Sequence, residues 1–179
     1  MTPAQALREA AAAGLERLDA QLLLLHALGR PGSDRAWLLA HDDEPVPPAV
    51  AQAFRALGAR RAAGEPLAYL VGRKEFFGLE LQVDARVLVP RPETETLVDW
   101  SLEVLQAREQ PRVIDLGTGS GAIALAIAHL RRDAVVEAVD ASADALAVAA
   151  MNAKRLSLDI RFKPGRWLDG CSGPYDLVV

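Results

Sequence analysis

Between Asp115 and Gly121 the chain reads Asp-Leu-Gly-Thr-Gly-Ser-Gly, a carboxylate followed by three alternate glycines. Glycines at this spacing let a strand turn sharply into a helix and present bare N–H groups and a helix N-terminus to a ligand. Gly117-x-Gly119-x-x-Ala122 satisfies the dinucleotide fingerprint with alanine as its third small residue, and Asp140 ends the next predicted strand, where a ribose-binding acid belongs. Two details point instead toward S-adenosylmethionine. Gly121 extends the pattern, and Asp115, two residues ahead of Gly117, would repel a pyrophosphate but attract an ammonium group. On this reading Asp140 accepts both ribose hydroxyls, while Trp167, in a later loop, flanks the adenine or merely anchors its own loop. A nicotinamide-dependent oxidoreductase is the competing reading of the turn.

No other residues make a comparable constellation. His26, His41 and His129 lack a second ligand at metal spacing and read as ordinary structural or surface histidines. Cys171 is the only cysteine, so no intramolecular disulfide forms, and without a placed base it reads as a free thiol. Arg91 and Glu95 sit in Pro90-Arg91-Pro92-Glu93-Thr94-Glu95, a stiff loop whose acids would favour the start of the following helix.

Strict alternation must position the glycine turn. Predicted strands cover 112–116, 134–140, 159–162 and 175–179, and predicted helices cover 120–130 and 142–155, which implies a parallel sheet with right-handed crossovers. Ahead of it a helix running to about Ala107 places Leu97, Val98, Leu102 and Leu105 on one face. Period-two alternation at Phe77, Leu79, Leu81 and Val83, a turn at Asp84-Ala85 and a return over 86–89 predict a β-hairpin. The first 72 residues are helical: one helix capped by Thr2-Pro3, one carrying Leu18, Leu22, Leu25 and Leu28, a short one capped by Ser33, and one over 49–63 with Val50, Phe54 and Leu57. Helices this short hold together only as a bundle. The fold class is therefore α/β: a helical bundle (residues 1–72), a β-hairpin connector (73–90) and a Rossmann-like domain (91–179), which the S-adenosylmethionine reading makes a methyltransferase domain.

The 179 residues are 51% hydrophobic, enough for a core. With 20 Lys+Arg against 24 Asp+Glu, no overall charge draws the chain to nucleic acid, and no direct nucleic-acid binding is expected. No stretch approaches the roughly 20 apolar residues of a membrane span, and no signal-peptide core is present. The expected location is cytoplasmic.

Several segments together resemble the HemK (PrmC) family of protein-(glutamine-N5) methyltransferases. They are Pro66-Leu67-Ala68-Tyr69-Leu70-Val71-Gly72, Glu75-Phe76-Phe77-Gly78, Val87-Leu88-Val89-Pro90-Arg91-Pro92-Glu93-Thr94-Glu95, and Asp115 to Gly121. The resemblance runs over essentially the whole chain and is more specific in the proline-rich segment than in the glycine turn. It implies S-adenosylmethionine-dependent methylation of the glutamine in the Gly-Gly-Gln loop of peptide chain release factors. It also implies that Gly117, Thr118, Gly119, Ser120, Gly121, Asp140 and Trp167 bind the cofactor. The bundle would help dock the release factor, and the 90–95 loop would border the site.

Two departures from the family pattern stand out. Arg166 occupies the place of an acidic residue before Trp167, and an arginine cannot accept a hydrogen bond from the adenine amino group. The strand at 175–179 leads in the family into Asn-Pro-Pro-Tyr, which does not occur among these 179 residues. That motif positions the amide nitrogen for attack, so no catalytic residue is assigned here. The chain reads as the N-terminal portion of a longer enzyme, inactive by itself, with an unpaired sheet edge. The alternatives are a non-catalytic release-factor-binding fragment, or a related methyltransferase acting on a nucleic-acid base amine.

Overall fold

The computed structural model describes all residues, Met1–Val179, and the chain divides into two compact units, Met1–Val71 and Gly72–Val179. The first contains α1 (Pro3–Ala12), α2 (Arg17–Ala27), α3 (Arg35–Ala40), α4 (Pro48–Ala62) and α5 (Leu67–Val71). Thr2 and Gln5 form a reciprocal capping box, each side chain accepting the other's backbone N–H at 3.3 and 2.9 Å. α2 is the centre of the unit, packed against α1, α3, α4 and α5. Its inward residues are Ala20, Leu23, Leu24 and Leu25, joined by Ala6, Leu38, Phe54 and Leu70. The predicted Leu18–Leu28 stripe is therefore rotated, and Leu18 is 48% exposed. Four consecutive leucines carry no helical phase, so the surrounding helices choose the inward face. Ser33 does not cap α3: Asp34 holds the cap position, and its carboxylate pairs with Arg30 at 2.8 Å.

The second unit opens with an antiparallel hairpin, β1 (Arg73–Phe76) and β2 (Leu79–Gln82). Its turn is Phe77-Gly78, seven residues before the predicted one, with φ of 49° and 77°. Two consecutive left-handed residues match the twist of a two-residue hairpin loop, and alternation does not reveal where such a loop falls. Residues 86–89, predicted as the return strand, are irregular.

A 3₁₀ turn over Pro92–Thr94 leads to α6 (Glu95–Leu105), β3 (Arg112–Leu116), α7 (Ala122–Leu130), β4 (Val135–Asp140), α8 (Ala143–Leu156), β5 (Arg161–Pro164) and β6 (Leu177–Val178). The four strands are parallel in the order β5-β4-β3-β6. α7 buries Ala122 and the run Ala124 to Ala128, consistent with its Ala, Ile and Leu content. α6 buries Val98, Ser101 and Leu105, whereas Leu97 is 41% exposed, a shift of one position from the predicted face. The β5–β6 crossover has no helix. It is fastened instead through buried Glu137, which meets Lys163 Nζ at 2.6 Å and accepts from the Tyr175 hydroxyl at 3.1 Å.

Candidate functional site

At the C-terminal ends of β3 and β4 lies a cleft of about 380 Å³. Parallel strands place ligand sites there because strand ends and helix N-termini converge. One wall is Arg86–Arg91 with Thr94; the other is Asp115, Gly117–Ser120, Ala122, Ile123, Asp140, Ser142 and Ala145.

Asp115 projects from β3 with 3% exposure. Its Oδ2 accepts from the Thr118 hydroxyl at 2.7 Å and from the Ala124 N–H at 3.3 Å. Burial pushes its carboxyl up to about 6, against the opposing pull of those two bonds, and the Asp140 charge raises it further. Asp140 divides its oxygens, Oδ2 accepting the Gly119 N–H and Oδ1 the Ser142 N–H, each at 2.9 Å. A carboxylate oxygen has two lone pairs, so each retains one acceptor site for a ligand. The Gly117 and Thr118 N–H groups both bond the Val139 carbonyl, at 2.8 and 3.0 Å, which ties the turn to β4.

Gly121 begins α7 with φ of 84°, and a Cβ there would lie 3.0 Å from Leu125 Cδ1 and 3.2 Å from Ala149 Cβ. Only glycine combines that backbone with that approach. Ser120 is held from behind: Asn152, fully buried, donates Nδ2–H to both the Ser120 and Gln82 carbonyls at 3.0 Å and accepts the Gln82 N–H at 2.7 Å. Asn152 thus joins the glycine turn, β2 and α8. Asn152 is the one uncharged polar residue of the α8 sequence, and that was the only sign of it.

The structure brings Gly117, Thr118, Gly119, Ser120 and Asp140 to one cleft, with Gly121 directly behind. It does not bring Trp167. That side chain is 78% exposed, absent from the lining, and held at φ 54° in a turn closed by the Asp169 N–H and the Arg166 carbonyl at 3.1 Å. Arg166 is likewise exposed. Glu95 acts as a fastener, accepting the Phe77 N–H at 3.1 Å, while Arg91 stands exposed at the rim. Leu88, 88% exposed, completes the wall in a segment read from sequence as a strand.

Two carboxylates in one cleft favour a ligand carrying positive charge and hydroxyls over one carrying phosphates. Of the lining cations, Arg86 is held by Asp84, with its Nη2 at 2.6 Å from the carboxylate, leaving Arg91 alone at the rim. As hydrogen-bond acceptors these two carboxylates are chemically suited to an adenosyl sulfonium amino acid, which carries an ammonium group and ribose hydroxyls.

Known proteins resemble the chain along most of its length. The family described as PrmC N-terminal domain matches residues 4–72, and the methyltransferase small domain matches residues 97–179. A release factor glutamine methyltransferase of Bordetella pertussis is 52% identical over 168 residues, covering 93% of this chain and 61% of that protein. Its counterpart in Xylella fastidiosa is 49% identical over 176 residues, covering 97% and 63%. The chain thus spans about three fifths of the length of these curated relatives. Among solved structures, an S-adenosylmethionine-dependent methyltransferase from Agrobacterium tumefaciens superposes with a TM-score of 0.50 at 23% identity, over 59% of this chain and 38% of that one, which speaks to fold alone. Both units of the chain are thus matched in order, and with about half of its residues identical to those relatives the chain is similar along nearly its whole length to members of the HemK (PrmC) family.

Proposed function

We propose that this chain supplies the cofactor half of an enzyme that methylates the side-chain amide nitrogen of the Gly-Gly-Gln glutamine in peptide chain release factors. The observation that carries the reading is the juxtaposition of Asp115 and Asp140 across a glycine turn, in a chain about half identical to release factor glutamine methyltransferases. S-adenosylmethionine, when bound, supplies an electrophilic methyl group. Asp115 draws in the ammonium and Asp140 accepts the ribose hydroxyls, while the small residues of Gly117 to Gly121, whose Gly117, Thr118, Gly119 and Gly121 N–H groups are bonded within the chain, let the ligand approach the backbone. Trp167 joins the cofactor set only if its loop closes over the cleft.

The amide nitrogen is a poor nucleophile because its lone pair is delocalised, so positioning must supply most of the rate. No residue of Met1–Val179 is assigned that part. Residues 1–72 are proposed as the docking module for the release factor, 73–90 as connector, and 91–179 as the methyltransferase domain. No helix is long and apolar enough to cross a membrane. A cytoplasmic location is the reading consistent with a translation-factor substrate and a lone free cysteine.

Calorimetry with S-adenosylmethionine and with NAD⁺ tests the cofactor assignment. Saturable binding of the first alone, lost in Asp140→Ala, is expected; preference for NAD⁺ overturns it. The substrate assignment is tested on a protein carrying this sequence at the full length of its relatives, incubated with a release factor and S-adenosylmethionine. Mass spectrometry should find one methyl group on the Gly-Gly-Gln glutamine and none on nucleic acid.

A further inference from the structure

Met1–Val71 contains seven arginines. Four are paired with carboxylates: Arg30 with Asp34, Arg55 with Glu9, Arg60 with Glu65, and Arg61 with Asp19. The other three, Arg8, Arg17 and Arg35, are exposed, make no ion pair, and all line two adjoining cavities of about 640 and 330 Å³ that share Arg17 and Leu39. Leu18 and Leu39, 48% and 65% exposed, are the unit's only exposed large apolar side chains, and both line the same groove. One carboxylate, Asp42, also borders it. Every unpaired guanidinium and every exposed leucine of the bundle therefore meets on one surface formed by α1, α2 and α3.

This combination selects among partners. No aromatic side chain lines the groove to stack on a base, as single-stranded nucleic acid requires. A concave apolar channel between helices with charges at its rim fits an amphipathic helix laid into it, the helix supplying anchors at i, i+3, i+4 and i+7. Three unpaired guanidiniums against one carboxylate make the complementary charge negative.

We propose that the groove of α1, α2 and α3 receives an acidic amphipathic helix of a partner protein. Leucine-type side chains of that helix cover Leu18 and Leu39, and its carboxylates pair with Arg8, Arg17 and Arg35. The proposal deepens the docking role given to residues 1–72 by naming the surface and the chemistry it reads. It is tested without cofactor or methyl transfer, so it fails separately from the methyltransferase reading.

The test uses two synthetic fluorescein-labelled helical peptides with identical leucines, one with glutamates on its polar face and the other with lysines. Fluorescence anisotropy with the full chain should show binding of the glutamate peptide only, weakened about tenfold or more as salt rises from about 0.05 M to about 0.5 M. Arg17→Glu and Arg35→Glu should each weaken it, and the triple reversal with Arg8→Glu should transfer preference to the lysine peptide. Leu39→Ser should weaken the glutamate peptide in the parent and the lysine peptide in the triple reversal. These residues are exposed, so circular dichroism should report unchanged helix; if the triple variant unfolds, Arg17→Glu alone decides. Equal binding of both peptides, indifference to reversal, stronger binding to phosphatidylglycerol vesicles, or a dimer that Leu39→Ser dissociates would each overturn the proposal.

Discussion

Asp115 costs the fold stability at neutral pH. Its carboxyl titrates near 6 in the folded chain, against 3.8 for the free group, because burial penalises the charge more than Thr118 and Ala124 repay it. A raised folded value means that the folded state holds the proton more tightly. The penalty is fully present above about pH 6 and disappears as pH falls toward 4. Asp115→Asn should therefore stabilise the ligand-free chain by up to roughly 3 kcal/mol near pH 8 and by almost nothing at pH 4, as read by urea denaturation across pH. The same variant should lose cofactor affinity. In the parent, affinity for a cationic ligand should fall as pH drops below about 6, with calorimetry showing proton release on binding in that range. A pH-independent difference between Asp115→Asn and its parent would contradict this account.

At the scale of elements, the cleft depends on how α7 and α8 are fastened to the glycine turn. Gly121→Ala forces a left-handed alanine against Leu125 and Ala149, and should cost about 2 kcal/mol while weakening cofactor binding. Asn152→Ala strips partners from the Gln82 N–H and carbonyl and from the Ser120 carbonyl in a buried site. The expected loss is about 3 kcal/mol, seen as a lower denaturation midpoint, with faster amide exchange at Gln82. If Asn152→Ala instead proves neutral, the tie between hairpin and turn is not a source of stability. The helix-free crossover makes a parallel case. Lys163 holds the Glu137 carboxyl below its usual range, with further help from the Tyr175 hydroxyl, so Lys163→Met should leave a buried carboxylate short of its main partner. A loss of about 2 kcal/mol at pH 7, shrinking as pH falls through the Glu137 titration, is expected from thermal melts.

On the scale of the whole molecule, two hydrophobic clusters share no residue. One centres on Leu23, Leu24 and Phe54, the other on Val113, Leu125 and Ile127. Separate cores should melt as separate cooperative units. Leu24→Ala, at a fully buried position, should cost the first unit about 3 kcal/mol. Calorimetry should then show one transition moving and the one that responds to cofactor staying in place. A single transition shifted as a whole would mean that the two units fold together.

Local rules decided a good deal of this from sequence. The strands predicted at 112–116 and 134–140, the α7 and α8 helices, the Thr2 cap and the order of elements from α6 to β6 follow from alternation, glycine placement and capping chemistry, all readable within a dozen residues. So did the meeting of Gly117–Ser120 with Asp140, because parallel topology brings successive strand ends together. The hairpin turn at Phe77-Gly78, the exposure of Leu18 and Leu97, and the position of Trp167 outside the cleft were not legible. Each depends on which face a distant element covers, and a leucine run or an alternating segment satisfies more than one answer. Asn152 joining Gln82 to Ser120, and Glu95 accepting from Phe77, required the tertiary structure for the same reason: hydrogen bonds between segments far apart in the chain leave no periodic trace in it.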